Sequence, residues 1–388
     1  MRNFTYNTPT TLIFGDGVLK NLKEVVATYG KNVLLTYGGG SIKKIGLYDE
    51  IYKLLDDFNI YELSGIEPNP KYYQSVVPGV KICKEKKIDL ILAVGGGSVL
   101  DCSKAISIGA LSDKETWDLL TYKEKVTKAL PIVTVLTLAA TGSEYDASAV
   151  ISRPETNDKI GFGDSHVFPK ASFLDPKYTY SVSKKQTAAG TADAINHILE
   201  QFFVKESCLL NDGMMVSAIK SLMHNVKIAL KDPDNYQARA ELMYDASLAC
   251  NGIFSNGSGP QNWPMHGIEH ALSGYYDITH GEGLAIITPR WMRYVLSDRT
   301  LPRFLVLGKD LFNLKIENDY EMADRVIEEF YKFFESIGIP MHLKDVGIDD
   351  SRIKEMAHHI HINEHLDNEN AFYPLDENDI ERILINSL

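Results

Sequence analysis

Cysteine is scarce. Four thiols (Cys83, Cys102, Cys208 and Cys250) are scattered through 388 residues with no CxxC pair. That excludes a disulfide-built scaffold and points to a reducing, cytoplasmic setting. Long apolar runs are missing too: residues 88–94 form one of the stronger ones, far short of the ~20 residues a membrane span needs. The first residues contain one arginine but no apolar signal core or small-residue cleavage site, so no secretory leader is expected. Positive charge is in deficit, 40 basic against 52 acidic residues for a net charge of -12. A nucleic-acid binder would need a basic face to displace counterions, and docking to anionic lipid is disfavoured for the same reason. There is no tandem repeat, low-complexity tract or long linker. Apolar residues make up 44%, ample for a core, so disorder is excluded and the length suits two domains.

The two halves read differently. Before about residue 180, β-branched runs end in small-residue turns. Asn32–Tyr37 meets Gly38-Gly39-Gly40-Ser41, Asp89–Val94 meets Gly95-Gly96-Gly97-Ser98, and Pro131–Leu138 meets Ala139-Ala140-Thr141-Gly142-Ser143. Strand, glycine turn, helix, repeated, predicts a parallel α/β sheet with ligands at the carboxyl ends of its strands. After Ser183 the periodicity is helical, as in residues 186–203, 212–230, 236–249 and 321–337. The division expected is an α/β domain over 1–180 and a helical domain over 181–388, with Asp175-Pro176 marking a turn just before it.

Three glycines after a buried strand let a backbone approach a pyrophosphate, and the following helix would offer free N–H groups to the same charge. Gly95–Ser98 with Asp101 suits that role, although a bare βα turn has the same look and the GxGxxG fingerprint is absent. Thr141-Gly142-Ser143 is a second such turn, equally readable as a helix cap. Asp193 and His197, four apart on a helix, share one face about 5–6 Å apart at Cβ and can ligate one metal, or be a surface pair. What favours the metal is a second cluster, His266, His270 and His280, three of eleven histidines within fifteen residues. A carboxylate with imidazoles suits Fe(II), Zn(II) or a similar ion. His358, His359, His361 and His365 sit among Asn, Asp and Glu and read as a solvated helix end.

These blocks carry a family likeness. With TLIFGDG (11–17), YGGGSIKKIG (37–46), GIEPNP (65–70), GGGSVLDCSKAI (95–106), ATGSE (140–144), AAGTADAINH (188–197) and HGIEHALSGYYDITHGEGLAI (266–286), the chain resembles the group III, iron-dependent alcohol dehydrogenases in their butanol dehydrogenase-like branch, over essentially its whole length. The resemblance implies a Rossmann-like parallel-sheet domain that binds a dinucleotide and an all-α metal-binding domain, a dehydroquinate synthase-like architecture. It implies that Asp193, His197, His266 and His280 bind one divalent metal, Fe(II) ahead of Zn(II). His270 would stand beside the metal without ligating it and serve proton transfer or coenzyme positioning. Gly95, Gly96, Gly97, Ser98, Asp101, Thr137, Thr141 and Ser143 would hold the dinucleotide, and Lys159 would reach the nicotinamide ribose. Homodimers are usual in such families. Two departures stand out: Ala139 replaces a hydroxyl residue common in relatives, and residues 361–373 have no clear counterpart.

Coenzyme choice follows from charge. An acid after the second strand binds the ribose 2′-hydroxyl of NAD and repels a 2′-phosphate. The turn Gly38, Gly39, Gly40, Ser41, followed by Lys43 and Lys44, has no acid, so NADP(H) is expected ahead of NAD(H). The activity expected is metal-assisted hydride transfer, reducing short- to medium-chain aldehydes such as butanal to primary alcohols. The rival readings are a glycerol-type polyol dehydrogenase and, from another class, a metallohydrolase.

Overall fold

The computed structural model describes residues 1–388. Its strands are β1 (Thr11–Phe14), β2 (Asn32–Tyr37), β3 (Asn59–Leu63), β4 (Leu90–Gly95), β5 (Ile132–Leu136), β6 (Ser148–Arg153), β7 (Asp158–Gly163) and β8 (Ala171–Leu174). Helices α1 (Leu22–Ala27), α2 (Ser41–Lys44), α3 (Leu47–Leu54), α4 (Val77–Lys86), α5 (Gly97–Ala110) and α6 (Thr116–Leu120) alternate with them. No strand follows residue 183. There the chain forms α7 (Lys184–Phe202), α8 (Leu209–Lys231), α9 (Tyr236–Ala249), α10 (Pro264–Tyr276), α11 (His280–Val295), α12 (Leu301–Val306), α13 (Asp319–Ser336), α14 (Ile353–Glu364) and α15 (Glu377–Ile385). None of these helices is long and apolar enough to cross a membrane.

Six strands pair in parallel in the order β1-β8-β5-β4-β2-β3. Alternation along β2 sends Val33 and Leu35 into one core with Leu22 of α1 and Ile51 of α3, and Leu34 into the other with Cys83 of α4 and Ile106 of α5. Both faces are covered, which is why these strands read as unbroken apolar runs. β3 and β4 lie on opposite sides of β2, so the winding reverses there, the place where open α/β sheets take ligands.

The hairpin β6–β7 is antiparallel and outside the sheet. Its sequence, broken by Pro154 and several charges, hides it from a periodicity search; Asn157 closes the turn with a φ of 53°. A fully buried lysine, Lys104 of α5, anchors the chain entering it, donating to Asp146 Oδ1 and to the Ser148 carbonyl, each at 2.7 Å.

Packing divides the chain into two compact units. One, the sheet unit, is Asn7–Val182 with Asp232–Asn251; the other, the helical unit, is Met1–Tyr6, Ser183–Lys231 and Gly252–Leu388. Beside the passages after residues 6 and 182, the chain therefore crosses twice more, on either side of α9. That helix belongs with the sheet because Met243 enters the core containing Leu136 and Leu174. In the helical unit, α7 starts where Ser183 Oγ accepts the Gln186 N–H, at 3.2 Å.

Candidate metal centre and coenzyme-binding loops

In the sheet unit, β2, β4 and β5 are neighbours and parallel, so the turns that follow them lie at one end of the sheet. Gly38–Ser41, Gly95–Ser98 and Thr137–Ser143, expected from sequence to hold a dinucleotide, are thus brought side by side. They interlock: a Cβ on Gly97 would fall 2.4 Å from Thr141 Cγ2, and Thr137 N–H donates to the Gly95 carbonyl at 3.0 Å. Asp101 has both oxygens engaged, one by Ser143 Oγ (2.7 Å) and the other by the Val150 N–H (2.9 Å). It ties the Thr141–Ser143 turn and β6 to α5. Lys159 lies on β7, buried, opposite Ser152.

Beside the first turn, one strand over, stands an acid the turn itself lacks. Glu62 of β3 accepts hydrogen bonds from the hydroxyls of Tyr37 (2.5 Å), Tyr48 (2.6 Å) and Tyr52 (2.5 Å). Lys43 Nζ lies over the Tyr48 ring, 4.4 Å from its centroid. The carboxylate is consumed by tyrosines.

Glu144, directly after the Thr137–Ser143 turn, is buried with its carboxylate accepting from Ser247 Oγ. Burial pushes its carboxyl up to about 7, and the serine offsets only part of this. Its ordinary value is 4.5, so folding favours the protonated acid: that contribution is full below 4.5 and is lost as pH rises through about 7. Relative to wild type, Glu144→Gln should gain about 2–3 kcal/mol in urea unfolding between about pH 5 and about pH 8. A constant difference over that range would show that Glu144 does not titrate there.

In the helical unit, Asp193 and His197 sit one turn apart on α7, His266 and His270 on α10, and His280 opens α11. Asp193 Oδ1 lies 3.3 Å from His197 Nε2, 3.8 Å from His266 Nε2 and 3.6 Å from His280 Nε2. Ligands bound at 2.0–2.2 Å in a tetrahedron are separated by about 3.4 Å. One ligand atom each from Asp193, His266 and His280 falls within a common 4.8 Å. His197 joins through Asp193 and by stacking on His266, with ring centroids 4.9 Å apart. Asp193 Oδ1 and His266 Nε2 are buried without a hydrogen bond, the state of atoms awaiting a cation. The residues fit a divalent metal. Burial opposes the Asp193 charge, yet His197 and then His266 and His280 hold its carboxyl well below the usual range. Burial pushes His197 down to about 4. It acts the same way on His266, but the nearby carboxylates of Asp193 and Glu200 prevail and raise it to about 9.

Carboxylates missed by the sequence reading stand behind these rings. Glu200 Oε1 faces His266 Nδ1 at 3.1 Å and accepts the His266 backbone N–H at 2.9 Å. Glu269 pairs with His280 Nδ1 and with Ser273 Oγ. Such partners hold Nδ1–H and turn Nε2 toward a metal. Both were findable: Glu200 is seven residues from Asp193, on the same helical face, and Glu269 lies inside HGIEH. Trp263 packs edge-on against His197 and His266, at 5.9 and 5.1 Å. Of the C-terminal histidines, His358 pairs with Glu377 at 3.1 Å and His359 packs on Tyr275; none joins the cluster.

Residues 9–176 match the family model for iron-containing alcohol dehydrogenase, and residues 187–388 match that of the Fe-containing alcohol dehydrogenase family, C-terminal. The chain belongs to the iron-containing alcohol dehydrogenase family. Among these dehydrogenases it is similar to the NADH-dependent butanol dehydrogenase A of Clostridium acetobutylicum, 46% identical over 361 residues covering 92% of each chain. It is 38% identical over 358 residues, 91% of each, to the NADPH-dependent aldehyde reductase YqhD of Escherichia coli. The crystal structure of the NADH-dependent butanol dehydrogenase A of Thermotoga maritima superposes with a TM-score of 0.95 at 36% identity, covering 100% of this chain and 99% of that one.

Proposed function

We propose that this iron-containing alcohol dehydrogenase reduces short- to medium-chain aldehydes such as butanal to primary alcohols. The observation that carries the reading is the group of buried Asp193, His197 and His266 with half-buried His280, whose separations from Asp193 Oδ1 match the edges of a metal tetrahedron. Fe(II) is the first choice of metal and Zn(II) the second, since an N/O set takes either. When bound, the ion polarises the carbonyl oxygen and the reduced nicotinamide supplies the hydride. The chain's own residues do the rest. Glu200 and Glu269 fix the ligand rings, and Trp263 covers His197 and His266 with an apolar face. His270 Nε2, buried and without a hydrogen bond, gives a proton to the substrate oxygen. Asp101 holds the Thr141–Ser143 turn ready for the coenzyme, alongside Gly95–Ser98, Thr137 and Lys159.

For the coenzyme, the reading places NADP(H) ahead of NAD(H). Glu62 is occupied by three tyrosines, and Ser41, Lys43 and Lys44 flank an acid-free turn. A homodimer is the proposed assembly, supported by the open edge that β1 leaves on the sheet; sedimentation at twice 43.4 kDa checks it.

The test is initial-rate oxidation of NADPH and NADH with butanal, and reduction of the coenzymes with glycerol, on chelator-stripped protein with and without Fe(II) or Zn(II). Metal-dependent butanal reduction with kcat/KM about tenfold higher for NADPH is expected. A ratio favouring NADH overturns the coenzyme choice alone. Glycerol oxidation outpacing butanal reduction, or silence of folded, metal-loaded protein, overturns the aldehyde reading.

A further inference from the structure

Three imidazoles of the helical unit repeat one arrangement. His266, His280 and His270 each turn Nδ1 to a carboxylate, Glu200, Glu269 and Glu364 respectively. Glu200 and Glu269 come from the ligand-bearing helices and are buried. Glu364 is different. It is the last residue of α14, in a stretch where the sequence motifs offered no counterpart although the family model extends over it, and its side chain keeps 27% of its surface exposed. Its Oε1 lies 3.2 Å from His270 Nδ1.

The fold goes to some length to bring it there. α14 ends against α10 at Gly267, where a Cβ would fall 3.3 Å from both Cβ and Cγ of Glu364. A side chain at 267 would crowd the carboxylate away. His365 then breaks the helix with a φ of 49°, and Leu366, 1% exposed, anchors the chain beyond it. His270 Nε2 is left buried with no hydrogen bond, and the His270 ring centroid stands 6.0 Å from that of His280 and 6.4 Å from that of His266.

We propose that Glu364 is a positioning residue for aldehyde reduction: by accepting Nδ1–H it fixes the ring and tautomer of His270, so that Nε2 is the atom that exchanges a proton with the substrate. The inference rests on the reading of His270 as proton donor. In the reduction, the carbonyl carbon forms a C–H bond with the hydride pair of the reduced nicotinamide, which is thereby oxidised. The substrate oxygen takes the Nε2 proton; that N–H bond breaks and an O–H bond forms. His270 is left neutral, with its remaining proton on Nδ1 against Glu364. Without the carboxylate, the neutral ring is free to carry its proton on either nitrogen and to swing, and only part of the population is competent.

Three variants test this on metal-loaded enzyme: Glu364→Ala, Glu364→Gln and His270→Gln. The readouts are kcat and KM for butanal, the solvent deuterium isotope effect on kcat, metal content, and ¹⁵N ring shifts of histidine-labelled, zinc-loaded protein. Glu364→Ala should lower kcat about 10–100-fold with KM within about twofold, raise the isotope effect and leave metal content unchanged. Glu364→Gln, whose amide oxygen accepts the same N–H, should recover most of the rate. The wild-type shifts should place the His270 proton on Nδ1, and alanine at 364 should mix the tautomers. Wild-type kcat in Glu364→Ala beside a crippled His270→Gln overturns the proposal. So does a wild-type His270 whose neutral ring carries its single proton on Nε2, or a glutamine variant as slow as the alanine one. Unchanged kcat in His270→Gln overturns instead the proton-donor reading beneath it.

Discussion

His266→Ala is expected to remove bound metal and aldehyde reduction together, lowering kcat/KM about a thousandfold or more. Its Nε2 is one of the buried atoms without a hydrogen bond, 3.8 Å from Asp193 Oδ1. The loss has a second part. Glu200, 2% exposed, would lose the Nδ1 partner at 3.1 Å and keep only the backbone N–H of residue 266. An under-satisfied buried carboxylate costs about 1–3 kcal/mol, so the variant should also melt earlier than chelator-treated wild type. Glu200→Gln makes the graded comparison. Its amide can still accept from the ring, and a drop of about 10–100-fold in metal affinity, with the fold intact, is the expected result. Metal analysis and thermal melting on the same preparations separate the two effects. An alanine variant that stays metal-loaded and active would remove His266 from the ligand set.

Gly281→Ala should be nearly as damaging without touching a ligand. A Cβ there would lie 2.0 Å from the carbonyl oxygen of Ala189 and 2.6 Å from its carbonyl carbon. These are backbone atoms in mid-helix and have no rotamer to change, so α11 and α7 must separate by about 1 Å to restore contact. Gly281 follows His280, and Ala189 precedes Asp193 by one helical turn. The separation therefore widens the 3.6 Å between Asp193 Oδ1 and His280 Nε2, and metal geometry tolerates only about 0.2 Å. A loss of about 3 kcal/mol in stability and at least tenfold in metal affinity is expected. Gly213→Ala is the control, an exposed glycine of α8 with nothing within 4 Å of an added Cβ, and it should be neutral or stabilising. If Gly281→Ala melts within a degree or two of Gly213→Ala and retains metal, the close packing of α7 on α11 does not govern the site.

Much of this was legible in the residues, and the illegible parts share a cause. The turns after β2, β4 and β5 announce themselves because glycine there is a local necessity, and helices such as Tyr236–Ala249 follow from their own periodicity. Asp193 with His197, and His266 with His280, are readable as candidate ligands because metal chemistry restricts residue type and spacing. What could not be read depends on partners far along the chain. α9 looks like any helix of the second half, and it is its distant partners that assign it to the sheet unit, Met243 sharing a core with Leu174 and Ser247 Oγ donating to Glu144. The β6–β7 hairpin does turn Ala149, Ile151, Ile160 and Phe162 inward at alternate positions, but its arms are short and broken by Arg153, Pro154 and Asp158. The buried groups that also tie it down, Lys104, Asp146 and Asp101, are far along the chain or outside the strands. Glu364 looked like one more solvated acid. Its meaning appears only when α14 is set against Gly267.

The way the units are drawn from the chain also orders their making. A ribosome releases residues from the N-terminus at roughly 5–20 per second. The strands are all out by Leu174, yet the sheet unit lacks α9 until Asn251 emerges, and α7 and α8 must appear first. Arg2 waits longer still, for the Gly257 carbonyl that accepts its N–H at 2.8 Å. Of the four residues proposed to bind metal, His280 is the last to be made. The nascent chain thus carries a nearly finished sheet for some seconds before either unit can close, and metal capture belongs to the late stage of synthesis.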